Sequence, residues 1–397
     1  EMLRSLVGSE MCIRDSYAEA EAGKNIEKSL KAIEERYNEI IKGLGLKLSL
    51  KEQFETIKKN FEALAGKDYA ASRGEYLNGI IMANYLGYEF IDAATVICFD
   101  KDGEFDSEKT NAVCEAKFAN IERAVVPGFY GAMPNGKVKT FSRGGSDVTG
   151  SIVARALKAD MYENWTDVSG FLVADPRIID NPKPIVTITY KELRELSYMG
   201  ATVLHDESIF PVRKEGIPIN IRNTNKPEDP GTMIVESTSR KPEYVITGIA
   251  GKKGFTVVSI EKDMMNSEIG FGRKVLEVFE KQGLSFEHTP SGIDTMSIVI
   301  HQDEFVEKEQ EVLAGLHRNV HPDAIEIESG LALIAVVGRG MKSSHGTAGK
   351  LFTALADANV NVKMIDQGSS ELNIIVGVKE EDFERAFKAI YKAFYES

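Results

Sequence analysis

With 397 residues, the chain has room for two or three domains with cores of their own. Its formal net charge of −13, from 61 acidic against 48 basic residues, disfavours nucleic acid or an anionic membrane surface as the main partner. No apolar run approaches the roughly 20 residues that span a bilayer, and the three cysteines (Cys12, Cys98, Cys114) follow neither a disulfide framework nor a metal spacing, which fits a reducing cytoplasm.

Residues 1–16 show no sustained periodicity and lack the basic start and long apolar core of a secretion signal. They read as a non-native segment ahead of the first domain. From residue 20 to 65 the pattern is helical: Ile26, Leu30, Ile33, Tyr37, Ile40 and Ile41 recur at helical spacing, and residues 50–64 repeat it. Ser72 with Glu75 three residues later has the form of a capping box opening a helix through Tyr76, Leu77, Ile80, Ile81 and Tyr85. Beyond Ala93, short β-branched runs (Thr95-Val-Ile-Cys98, Arg123-Ala-Val-Val126, Val138-Lys-Thr-Phe141) alternate with turns and helices. Such alternation implies a mostly parallel sheet with helices on both faces.

Arg143-Gly-Gly-Ser-Asp147 lies between a strand pattern and a helix pattern through Ile152, Val153, Ala156 and Leu157. Two glycines permit a tight turn and close backbone approach to a ligand. The helix start behind them offers unpaired N–H groups and a positive dipole end, a ready anion site. Arg143 adds a planar fork for a carboxylate or phosphate, and Asp147 a carboxylate able to position an entering group. Thr166 and Asp167 follow a presumed strand end, where open α/β sheets bind ligands, and Asp175-Pro-Arg177 comes soon after. The sheet closes with Ile217-Pro-Ile-Asn-Ile221; the polar stretch from residue 225 to 244, with Pro230, Gly231 and Pro242, reads as loop and linker.

The remainder contains a repeat. Gly270-Phe-Gly-Arg-Lys-Val-Leu-Glu-Val-Phe recurs as Gly346-Thr-Ala-Gly-Lys-Leu-Phe-Thr-Ala-Leu, and the register holds without a gap to Ser297-Ile-Val-Ile and Asn373-Ile-Ile-Val. Each copy reads as strand, loop, helix, strand, turn, strand. His317 and His321 lack a third ligand and read as a solvated pair, and the acidic run 304–311 as an exposed helix face.

Taken with Gly200-Ala-Thr-Val-Leu-His205, Asn223-Thr224 and Pro230-Gly-Thr232, these motifs in this order resemble the aspartokinase family. The resemblance runs from Tyr17 to the C-terminus. It implies an α/β amino-acid-kinase fold over residues 17–240, followed by two α+β ACT domains, 241–320 and 321–397, one threaded through the other so that residues 244–250 pair with the second copy. It also implies the reaction of ATP with L-aspartate to 4-phospho-L-aspartate and ADP, with Mg²⁺ carried by the nucleotide. By resemblance, Glu75 meets the substrate ammonium group, Arg143 a substrate carboxylate, and Ser146 and Asp147 the acceptor carboxylate and phosphates. Thr166, Asp167, Asp175 and Arg177 would surround the nucleotide. An amino-acid effector, lysine ahead of threonine, would touch Met264, Ser267, Glu287, Ser291 and Asp294, and the ACT domains would pair in a homodimer. Two departures concern the nucleotide: Leu172 stands where many relatives have a tyrosine, and Thr202 where many have a lysine. The family's first strand and its Lys-Phe-Gly-Gly-Ser phosphate loop do not appear in the chain, so as written it is expected to have little kinase activity. Rival readings are a related amino-acid kinase with another acceptor, and a non-catalytic amino-acid sensor on the same fold.

Overall fold

The computed structural model describes residues 2–142, 144–200, 206–239 and 242–396; Arg143, Thr202 and His205 lie outside them. The chain forms two compact units, residues 1–164 with 204–220 and residues 165–203 with 221–397.

The first unit opens with four helices, α1 (Met2–Glu21), α2 (Glu27–Gly43), α3 (Lys51–Glu62) and α4 (Lys67–Leu86). Apolar residues at helical spacing on α2 (Leu30, Ile33, Tyr37, Ile41) meet Phe54, Ile57 and Phe61 of α3 and Leu77 and Ile81 of α4 in one core. Ile13 and Tyr17 of α1 belong to that core as well, so the segment read as lacking periodicity ends inside a helix that contributes to it. Gly66, at φ 110°, turns the chain into α4, which begins five residues ahead of Ser72. The expected capping box is therefore not made. Ser72 sits in mid-helix, where its hydroxyl donates back to the Tyr69 carbonyl at 2.7 Å.

After α4 come β1 (Glu89–Phe90), α5 (Ser107–Phe118), β2 (Ala124–Val125), β3 (Tyr130–Ala132), β4 (Val138–Thr140) and α6 (Gly145–Ala156). Strands β1 and β2 are parallel, whereas β3 and β4 form an antiparallel hairpin. The strand expected at 95–98 is replaced by a 3-10 turn over Ala93–Thr95, because the Asp92 side chain accepts from Ala94 N and bends the backbone there. Cys98 keeps only a single bridge to Ala132.

Next in the chain are β5 (Tyr162–Thr166), β6 (Thr187–Thr189), α7 (Tyr190–Tyr198), α8 (Asp206–Lys214), β7 (Ile219–Asn223) and β8 (Thr232–Val235), with sheet order β5-β7-β8-β6. The stretch read as linker thus contains a strand: β8 runs parallel to β6, and its alternate residues Thr232 and Ile234 are fully buried.

The C-terminal part consists of β9 (Gly248–Glu261), α9 (Phe271–Lys281), β10 (Thr295–His301), α10 (Gln302–Val306), α11 (Glu309–Val320), β11 (Ala324–Val337), α12 (Thr347–Asp357), β12 (Met364–Asp366), β13 (Asn373–Lys379) and α13 (Phe383–Tyr391). One antiparallel sheet runs β10-β9-β11-β13-β12. Strands β9 and β11 are each 14 residues long. Gly254 and Gly330, both at positive φ, interrupt them. The second half of β9 pairs with the start of β11 in the first copy of the repeat, and its first half with the end of β11 in the second, Ile249 opposite Val336 and Ala250 opposite Ala335. The strand expected after α9 is reduced to two bridges, His288 to Val299 and Ser291 to Met296. His317 lies on α11, but His321 is its left-handed C-cap at φ 49°, so the two do not share a helix face.

Candidate active site

In the first unit, two elements carry the expected substrate residues. Glu75 is half-buried on α4. Ser146 and Asp147 occupy the first turn of α6, whose N-cap is Gly144 in the left-handed region, φ 56° and ψ 24°. Gly145 follows because nothing larger fits: a Cβ there would lie 2.5 Å from the Phe129 Cβ. Ser146 is exposed and Asp147 half-buried. Arg143 falls outside the described residues, so its expected place beside them stays a proposal.

Asp147 does not project freely. Asn164 Nδ2 donates to its Oδ1 at 2.8 Å and also to the Tyr162 hydroxyl at 3.1 Å, while that hydroxyl donates to the Asp147 carbonyl at 3.2 Å. Burial pushes the Tyr162 phenol up to about 12, with the Asn164 bond opposing it, so it stays a donor at neutral pH. The α6 N-terminus thus presents a carboxylate of fixed orientation beside free backbone N–H groups and the positive dipole end. Sequence reasoning missed Tyr162 and Asn164. The only available signal was their two-residue spacing, which puts both on one face of β5.

In the second unit, Thr166 ends β5 and Asp167 follows it. Thr224 N and Oγ1 both donate to the Thr166 carbonyl, at 2.8 and 2.9 Å, which gives the Asn223-Thr224 motif a local role. The Thr166 hydroxyl donates to Asp167 Oδ1 at 3.2 Å. Asp175 and Arg177 form a forked pair, Nε to Oδ1 at 3.0 Å and Nη2 to Oδ2 at 2.6 Å. The Arg177 hydrogen bond holds Asp175 below the usual carboxylate value. Both line a cavity of about 750 Å³, together with Phe171, Leu172, Met199 and Lys252. Its size and its mixture of apolar wall and cationic rim suit a nucleotide. Thr166 and Asp167 are not among the lining residues, so the structure brings Asp175 and Arg177 to the cavity and leaves the other pair outside its wall.

The expected effector residues fall in two places. Met264, in the left-handed region at φ 59° and largely exposed, leads the 3-10 turn Met265–Ser267, and Asp294 accepts a backbone hydrogen bond from nearby Lys262 at 2.9 Å. Ser291 lies in the adjoining turn, bridged to Met296. Glu287 is further along the strand direction, where its carboxylate meets His301 Nε2 at 3.1 Å and the Tyr198 hydroxyl. Glu268, not among the expected contacts, is gripped by Lys262 and Lys274, each at 2.6 Å; hydrogen bonds to Lys262 and then Lys274 lower its pKa to about 2.

Residues 13–223 match the amino acid kinase family and residues 334–394 the ACT domain. Aspartokinase 3 of Bacillus subtilis is 41% identical over 337 residues, 83% of this chain and 74% of that protein. The chloroplastic aspartokinase 1 of Arabidopsis thaliana is 31% identical; the chain spans 61% of its length. Among solved structures, the aspartate kinase of Clostridium acetobutylicum matches with a TM-score of 0.85 and 54% identity over 97% of this chain and 88% of that one. The fold of E. coli aspartokinase III, crystallised with aspartate and ADP, matches with a TM-score of 0.63 at 23% identity, covering 96% of this chain and 90% of that one. With an amino-acid-kinase domain, an ACT region and this similarity spread over most of its length, the chain belongs to the aspartokinase family.

Proposed function

We propose that the protein joins ATP and L-aspartate to give 4-phospho-L-aspartate and ADP, the entry step to lysine, threonine and methionine. The observation that carries this reading is Asp147, fixed by Asn164 in the first turn of a glycine-capped helix, in a chain of the aspartokinase family. The acceptor carboxylate is already ionised at neutral pH, so it attacks phosphorus directly, the bond to ADP breaks, and no general base is needed. Catalysis then reduces to alignment and charge neutralisation. Glu75 takes the substrate ammonium group and Arg143 its α-carboxylate. Ser146, Asp147 and the α6 N–H groups orient the reacting carboxylate and phosphoryl oxygens. Asp175 and Arg177, with the cavity they line, hold the nucleotide, and Thr166 and Asp167 assist at its edge. Mg²⁺ bound to the phosphates would neutralise their charge.

The ACT region takes a free amino acid, lysine before threonine, around Met264, Ser267, Ser291 and Asp294, with Glu287 as a more distant contact. Met264, Ile269 and Ile293 are exposed apolar residues of the first copy, and covering them supports pairing of two chains through these domains. The three free cysteines agree with a cytoplasmic setting. Calorimetry of the chain with L-aspartate and L-glutamate tests the substrate reading: aspartate should bind in preference, and Glu75→Gln should weaken it. Equal binding of both acids would replace aspartate as the acceptor.

A further inference from the structure

Arg73 is an arginine that the expected site does not use. It lies on α4, one residue from Ser72 and two from Glu75, and only 5% of it is exposed. A guanidinium stays charged at any physiological pH, and a buried charge normally has a carboxylate partner. Among the described residues none lies within ion-pair distance of Arg73. Three aromatic rings take that place: its Cζ is 4.4 Å from the centre of the Tyr69 ring, 4.4 Å from Tyr76 and 5.4 Å from Tyr130. Nε and Nη2 donate to the Ser72 hydroxyl oxygen, at 3.1 and 2.9 Å.

This cage joins two elements. Tyr69 and Tyr76 are on α4, whereas Tyr130 begins β3 and donates its hydroxyl to Asp92 at 2.7 Å. The residue before Tyr130 is Phe129, whose N–H donates to Thr149 of α6 at 2.9 Å and whose side chain excludes any Cβ at Gly145. Gly128 abuts Ser146. The segment 128–130 is therefore the seat of the helix start that carries Ser146 and Asp147. On the other side, Ser72 lies three residues before Glu75, on the same helix face. A second tie, Thr140 Oγ1 to Asp68 Oδ1 at 3.0 Å, anchors the start of α4 to the strand entering the glycine loop. Thr140 thus ties the start of α4 at Asp68, and Arg73 ties the helical turn that carries Glu75 to Tyr130 of β3.

We infer that Arg73 is a positioning residue for substrate recognition, its tyrosine-caged guanidinium holding α4 at the rotation that aims Glu75 across to Asp147. The inference rests on the assignment of Glu75 to the substrate ammonium group. Arg73→Met keeps the length and apolar packing of the side chain and removes its charge and donors; Arg73→Lys keeps the charge without the planar fork. In the full chain, calorimetric affinity for L-aspartate should fall about tenfold or more in Arg73→Met and less in Arg73→Lys. A merely structural role would weaken binding independently of Glu75, so the double variant decides: Arg73→Met combined with Glu75→Gln should bind no more weakly than Glu75→Gln alone. Additive losses, or an Arg73→Met chain that binds like the unsubstituted one, overturn the inference. Should Arg73→Met fail to fold, Arg73→Lys, which removes the planar fork, replaces it in the same cycle. An unchanged affinity in Glu75→Gln would remove the Glu75 reading first, and this inference with it.

Discussion

Replacing Arg339 by methionine attacks the buried carboxylate that joins α7 to the turn after β11. Glu192 on α7 is completely buried. It accepts from Thr189 N at 2.9 Å and Oγ1 at 2.7 Å, from Thr247 Oγ1 at 2.5 Å, from Arg339 N at 2.9 Å and from Arg339 Nη1 at 2.9 and 3.2 Å. Methionine keeps much of the volume but strips the carboxylate of its guanidinium partner. Breaking one side of a buried pair costs about 3–5 kcal/mol, and the partial exposure of Arg339 argues for the lower end. At about 2–4 °C per kcal/mol for a unit of this size, melting should drop by roughly 6–12 °C. Burial alone would raise the pKa of Glu192, but the hydrogen bonds from Thr247, Arg339 and Thr189 outweigh it and the net value is lowered from 4.5. A lowered carboxylate stabilises fully above its unfolded value and loses that contribution as pH falls through the folded one. The melting gap between the unsubstituted chain and Glu192→Gln should therefore be constant above pH 4.5 and narrow in more acidic buffer. Differential scanning calorimetry across that range is the assay. A loss under about 1 kcal/mol for Arg339→Met, or a gap independent of pH, would refute the reasoning.

Gly145→Ala should destabilise the first unit by about 1–3 kcal/mol, since its Cβ meets the Phe129 Cβ and not a flexible chain end; chemical denaturation with the Asn164→Ala variant as a comparison reads this. Asn164→Ala itself should leave folding nearly intact and weaken aspartate binding, because it frees Asp147 to rotate; equal affinity would show that the orientation of Asp147 is unimportant. Asp175→Asn should leave the melting temperature unchanged, the pair with Arg177 being open to solvent, while ADP titration shows weaker binding. Glu268→Gln should release Lys262 and Lys274 and alter lysine binding above about pH 2, where this carboxylate is charged; identical isotherms for the two chains would exclude Glu268 from the effector loop.

Helices α2 and α3 were legible because Leu30, Ile33, Tyr37 and Ile41 repeat at 3.6-residue spacing over a charged background, a signal set by burial on one side. The start of α4 was not. Ser72 and Glu75 match a capping box letter for letter, but the glycine that turns the chain lies further upstream, and Ser72 is buried by tertiary packing. Strand β8 was hidden for another reason: four residues between turn-forming segments carry too little alternation to declare a strand, and the pairing with β6 comes from residues over forty positions away in the chain. Of the site, the glycine turn and Asp147 could be read from local composition. Asn164, Tyr162 and the cage around Arg73 could not, since each acquires its role from partners distant in sequence.

The two copies of the C-terminal repeat share their long strands, and this governs the order in which the region can be made. As the chain leaves the ribosome, the first half of β9 emerges near residue 248, yet the segment it pairs with ends at Val337. Throughout that interval the edge that β11 will cover stays unpaired, with buried-type residues such as Ile249 and Ala250, although Ile249 N already has the Val173 carbonyl to bond. The first copy can close its local helix and hairpin meanwhile, but closure of the sheet waits for β11 and pays the entropy of a long loop. Closure of the shared sheet therefore comes late, and substitutions that weaken β11 should raise aggregation of the nascent chain.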